Sequence, residues 1–227
     1  MATLNKLVYD IREALNKFSD DDEISNRYIT YLINVKRARF LKQELDRFGR
    51  KFNNTILQTY CSPLEEVSAN ECGLELPCEK ISRTTLKVPD LLQLTSRDAL
   101  ARVAGANKLS KPITVIARNR APYASSSIFN TTKAFLHDDD RLYVFNNDGP
   151  VLFNCISITG VFEDPTELAT YQDCCDCSET ATTCFDPMVN DYPLTPHLID
   201  VVRKDIINEL AQLQGTREDK ENDSDDQ

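Results

Sequence analysis

The chain has 227 residues, 41% of them apolar and 27% charged, with a formal net charge of −10; this composition suits a folded core and excludes wholesale disorder. So large an excess of acid disfavours the whole surface as a nucleic-acid binder, and six glycines leave little for a phosphate-cradling loop. No stretch approaches the about eighteen apolar residues of a membrane span, and Met1 to Lys6 hold no apolar leader core, so a soluble protein made in the cytosol is expected.

In chain order, Leu4, Leu7, Val8, Ile11, Leu15 and Phe18 recur at steps of three and four, with Thr3 placed as N-cap. This spacing predicts an amphipathic helix. Ser19 and the acids Asp20, Asp21, Asp22 and Glu23 end it and open a second helix, since acids suit a helix N-terminus. Ile24, Tyr28, Tyr31, Leu32, Val35, Leu45, Phe48 and Phe52 carry that helix to about residue 51, and the pair reads as an αα-hairpin.

Residues 61–82 lapse into a loop with two prolines and three cysteines. Residues 96–104 read as a short helix or a loop. Segments 113–117, 128–136, 141–145 and 151–162 are β-type. The turn sequences His137-Asp138-Asp139-Asp140 and Asn146-Asn147-Asp148-Gly149-Pro150 divide the last three and predict an antiparallel meander. Residues 163–194 form an irregular excursion with four cysteines. Thr195-Pro196 then supplies an N-cap and a first-position proline. Leu198, Val201, Val202, Ile206, Leu210 and Leu213 continue at helical spacing, and Gly215 ends this helix. Residues 217–227 carry six acids, two bases and no large apolar residue, which predicts a solvated tail.

The fold class that follows is α+β. An N-terminal αα-hairpin and a C-terminal helix (1–60 and 195–215) form a helical bundle. An antiparallel β-meander domain with cysteine-containing loops is inserted at 61–194, and a disordered acidic tail follows at 216–227.

The search for chemistry returns little. The two histidines are His137, in a turn, and His197, at a helix start; no nucleophile elbow, Walker loop, dinucleotide fingerprint or His-Glu-x-x-His occurs. Asp138, Asp139 and Asp140 are consecutive in a turn, so their side chains diverge rather than converge on a cation. Cys174, Cys175, Cys177 and Cys184 fall within eleven residues, with Cys61, Cys72 and Cys78 elsewhere. Neither group supplies the two Cys-x-x-Cys pairs of the usual zinc signature, and structural zinc, disulfide pinning and buried thiols all remain open. Cys155, on an apolar segment, reads as a small core residue. No catalytic residue, cofactor or metal ligand is assigned.

Charge is more informative. Arg27 to Lys51 hold eight Lys/Arg against two acids, whereas Phe162 to Asp200 hold nine acids and no Lys or Arg. Such polarity suits copies that mate face to face around a ring. Contact with DNA phosphates and a merely solvated helix face are the other two readings.

Several strings carry a resemblance. Asp22-Glu23-Ile24-Ser25-Asn26-Arg27-Tyr28-Ile29 continues through Leu32-Ile33-Asn34 to Arg37-Ala38, preceded by Leu7, Ile11 and Arg12. Ile158-Thr159-Gly160-Val161-Phe162-Glu163-Asp164-Pro165 and Tyr192-Pro193-Leu194-Thr195-Pro196 follow in order. Together these resemble the neck and tail ring proteins, the portal adaptors, of crAss-like bacteriophages.

The resemblance implies a non-enzymatic virion protein of the head–tail connector: a ring of about twelve copies below the portal, extending the DNA channel and giving tail components a platform. Its implied partners are copies of itself, the portal, other neck and tail rings, and double-stranded DNA in transit, with no membrane. The residues expected to meet a partner are Lys36, Arg37, Arg39 and Lys42 on the basic helix, with Leu198, Val201, Val202, Ile206 and Leu210 on the last one. The acidic stretch 217–227 departs from the pattern, since a docking tail carries apolar anchors. Two other classes stand beside this reading: a cytoplasmic helical nucleic-acid-binding or regulatory phage protein, and a zinc enzyme built on the cluster from Cys174 to Cys184.

Overall fold

A computed structural model describes residues 2–15, 24–48, 53–73, 80–95, 99–106, 111–126, 132–146, 151, 153–171 and 185–222. Three α-helices form where the apolar spacing places them: α1 (Leu4–Leu15), α2 (Asn26–Phe48) and α3 (Pro196–Asn222). Thr3 caps α1 through its hydroxyl, which accepts from the Lys6 amide at 3.4 Å. The side chain capping α2 is Ser25, accepting from Tyr28 N at 3.2 Å, so the cap lies just after the acidic run. Gly215 does not end α3, whose backbone stays helical to Asn222.

Between the helices lie β1 (Gln58–Ser68), β2 (Lys80–Thr84), β3 (Leu100–Gly105), β4 (Pro112–Val115), β5 (Thr132–Leu136), β6 (Leu142–Asn146) and β7 (Cys155–Gly160). They close into a barrel in the order β1-β2-β6-β5-β4-β3-β7. Every neighbouring pair is antiparallel except β4 and β5, which run parallel.

This corrects the expected architecture, a helical bundle carrying an inserted antiparallel meander. The β region is a closed seven-stranded barrel. β5 and β6 do form a hairpin, but β7 pairs with β1 and β3 rather than with β6. The helices do not make a separate bundle: Ile11, Ile33 and Ile206 share one continuous core with the barrel residues Ile156, Ile158 and Val144.

The strand that closes the barrel is the one whose composition reads least like a strand. β1 pairs with β7 from Gln58 to Pro63 and with β2 from Leu64 to Ser68. Pro63, which has no N–H to offer a ladder, sits at this handover, and its carbonyl accepts from Thr85 N at 3.0 Å. The acids that follow are answered across the strands: Glu65 accepts from Arg83 Nε at 2.6 Å and pairs with Arg141 at 3.2 Å.

β5 and β6 are apolar on both faces. Ala134, Leu142 and Val144 point into the barrel. Phe135, Tyr143 and Phe145 point outward, under a 3-10 helix (Arg118–Ser126) that adds Ala121 and Ala124. The buried Lys133 ammonium is held there by the Ala124 carbonyl. Among the described residues no helix is long and apolar enough to cross a membrane.

Candidate functional site

The buried side of α2 is built on one row. Ile29, Ile33, Leu41 and Leu45 stand four residues apart along the helix and are buried, and Arg37 occupies the middle of that row with no exposed surface. Its guanidinium is held by backbone. Nε donates to the Pro193 carbonyl at 3.0 Å, and Nη1 donates to the Phe162 carbonyl at 2.7 Å and to that of Glu163 at 3.4 Å. Its Cζ lies 5.8 Å from the centre of the Tyr192 ring. Burial pulls the Arg37 pKa below its usual value, an effect that Tyr192 and Asp164 oppose.

Asn34 completes the node. Its amide donates to Asp164 Oδ1 at 2.8 Å, and its carbonyl oxygen accepts from the Tyr192 hydroxyl at 2.8 Å. Asp164 also caps a 3-10 helix (Pro165–Thr170) through Thr166 N. Burial pushes the Tyr192 hydroxyl pKa well up. Three distant segments, α2, the stretch after β7, and the stretch before α3, are thereby fixed to one another, with no direct ion pair on Arg37 among the described residues.

One position along, Lys36 reaches across to α3 and pairs with Asp205 at 2.8 Å and Glu209 at 2.6 Å. These two acids, i and i+4 on one helix face, raise its pKa by hydrogen bonding.

The outward side of α2 differs. Together with Leu92 and the 163–167 segment it bounds an open groove of about 680 Å3. Tyr31, Val35, Ala38 and Leu92 give the groove an apolar floor. Arg27, Arg39 and Lys42 rise along the helix wall, and Asp90, Glu163, Asp164 and Glu167 stand opposite. No ion pair crosses the groove among the described residues. Burial, with the nearby charge of Asp90, raises the Glu167 pKa above the usual carboxylate value.

The model of the phage tail ring protein 2 family matches residues 6–227. The chain belongs to that family. It is also similar to Ring protein 2 of Bacteroides phage crAss001, with 25% identity over 230 residues, 99% of this chain and 97% of that protein. The resemblance to crAss-like phage ring proteins seen in the sequence is therefore borne out, and the strings that carried it have a structural meaning. Asn34 and Arg37, Phe162 to Asp164, and Tyr192 and Pro193 are the members of the buried node.

The residues singled out in this ring protein for partner contact fall into two sets. Lys36 and Arg37 are engaged within the subunit, and Leu198, Val202, Ile206 and Leu210 are buried in its core. Arg39, Lys42 and Val201 are exposed. Sequence reasoning missed Asn34, Asp164 and Tyr192, and the acid wall of Asp90, Glu163 and Glu167. A signal for Arg37 was present in its place on the apolar four-residue row; the acidic stretch from Phe162 onward held a signal for Glu163 and Glu167, whereas Asp90, from another loop, left none.

The three acids of the β5–β6 turn each serve a different partner. Asp138 pairs with Arg118, Asp139 accepts from the Tyr143 hydroxyl at 3.1 Å, and Asp140, at φ 61°, pairs with Lys87 at 3.3 Å. Among the described residues no group of three or more His, Cys, Asp or Glu is arranged to hold a metal ion. Cys61 is disulfide-bonded. Cys155 is a half-buried thiol at the start of β7 rather than a core residue. The side chains of Cys72, Cys78 and the cluster from Cys174 to Cys184 lie outside the described residues.

Proposed function

We propose that the protein is a non-enzymatic structural subunit of the phage neck, closing side by side with copies of itself into a ring of about twelve below the portal. The ring prolongs the DNA channel and gives other neck and tail proteins a platform. The helices α1, α2 and α3 provide the contacts that close it, and the barrel of β1 to β7 faces neighbouring components of the virion. The observation that carries this reading is the match to the tail ring family along nearly the whole chain.

The groove supports it physically. Two walls of opposite charge that leave each other unpaired, over a floor with Tyr31 60% and Val35 44% exposed, form a surface suited to a partner carrying both signs of charge. Contact of α2 with DNA phosphates is favoured less, because Lys36 and Arg37 already serve the subunit. Native mass spectrometry of the full chain, alone and with purified portal, tests the proposal. A closed oligomer that binds portal is the expected result. A protein that stays monomeric at every concentration, with and without portal, overturns it.

A further inference from the structure

The helix α3 runs antiparallel to α2. His197 Nε2 lies 3.8 Å from Glu44 near one end of the pair, and Asp205 and Glu209 clasp Lys36 farther along. From Lys36 the helix α2 continues ten residues back to Asn26, whereas from Glu209 the helix α3 continues thirteen residues on to Asn222. At about 1.5 Å per residue, α3 outruns the start of α2 by about a turn. The backbone of α3 thus ends beyond the start of α2, and residues 217–227 carry six acids and two bases. Their own chain is a poor host for that charge, because Asp20, Asp21, Asp22 and Glu23 immediately precede α2 in sequence and like charges repel.

Meanwhile the outward face of α2 is cationic and unanswered. Arg27, Arg39 and Lys42 are exposed and make no ion pair among the described residues. The acids across the groove confine an anionic guest to the helix side. We propose that the acidic segment 217–227 of one copy lies across this cationic face of α2 in the next copy, a strap that links neighbours around the ring.

The inference rests on the ring reading above, and the experiment separates the two. Two full-length variants reverse one side each: Arg39→Glu with Lys42→Glu, and Glu218→Lys with Glu221→Lys. Each alone is expected to raise the concentration at which oligomers form by about tenfold at low salt, and 1 M salt is expected to weaken assembly of the parent chain. Mixing the two variants is the decisive arm. If the strap passes between copies, each reversed segment meets a reversed helix on its neighbour, and assembly returns to within about threefold of the parent.

Rescue only when both reversals are placed in one chain, with none on mixing, means the contact closes within a subunit and overturns the proposal. So does assembly that neither reversal disturbs. A parent chain that never oligomerises instead defeats the ring reading itself. Circular dichroism and urea midpoints equal to the parent's establish that the variants fold.

Discussion

Two sides of one helix handle charge in opposite ways. Inward, α2 places the Arg37 cation where no water reaches it and surrounds it with carbonyls of the two segments it joins. Outward, the same helix offers Arg39 and Lys42 to a groove whose opposite wall is acidic, and no ion pair crosses it among the described residues. The first arrangement is closed within one subunit, although Arg37 Nη2 finds no hydrogen-bond partner there, and works as a fastener. The second is incomplete, as a surface kept for another molecule is. The contrast lies between neighbouring residues of a single basic run, so charge density alone does not say what a charge is for.

The largest effect should come from the closed side. Arg37→Ala leaves the Phe162 and Pro193 carbonyls without their donor and empties a volume at the meeting of helix and barrel. We expect a loss of about 3–5 kcal/mol, read as a lower urea midpoint with an unchanged slope. Arg37→Lys, with one donor group in place of a planar fork, should recover little of it. A loss below about 1 kcal/mol for the alanine variant would erase the distinction between the two sides.

Lys36→Met is next, at about 1 kcal/mol, because Asp205 and Glu209 are both partly exposed. Its sign with pH sharpens the comparison. The acids raise the Lys36 pKa above the usual 10.5, so the pair's contribution is fully present below that value and fades as pH rises through the folded-state value. Parent and variant melting curves should differ at pH 8 and converge in strong alkali. A difference that persisted there would assign the loss to packing of the lysine stem.

How much of this was legible in the sequence follows from where each signal resides. The helices announced themselves because Leu4, Leu7, Val8 and Ile11 repeat on a short period with one partner face, a purely local property. The barrel did not. β1 is interrupted by Pro63 and carries Glu65 and Glu66, whose answers come from β2 (Arg83 and Lys80) and from Arg141, just before β6. β6, legible as a strand at 141–145, is covered on its outer face by a 3-10 helix no strand pattern foretells, and so reads as a continuous apolar run rather than an alternation. Closure depends on β1 finding both β7 and β2, a long-range pairing that composition does not encode locally. The node shows the same limit. Arg37, set between Ile33 and Leu41, hinted at an interior place, but that its partners would be the carbonyls of Phe162 and Pro193 is a property of the assembled chain.

The smallest predicted effect tests the open side. Glu167 stands in the acid wall with Asp90 close by, and burial first, then that neighbouring charge, lifts its pKa above the usual 4.5. A carboxyl raised in this way opposes folding once it ionises, so its penalty is absent below the usual value and complete above the raised one. Glu167→Gln should therefore stabilise the isolated subunit at pH 7.5, by no more than about 0.5 kcal/mol for so exposed a group, and change nothing at pH 4. Thermal melts at the two values decide it. Were the glutamine variant less stable at pH 7.5, the carboxylate would have to be held favourably inside the subunit, by the Asp90 amide it accepts from. The wall would then be a finished structure like the Arg37 node rather than an open surface.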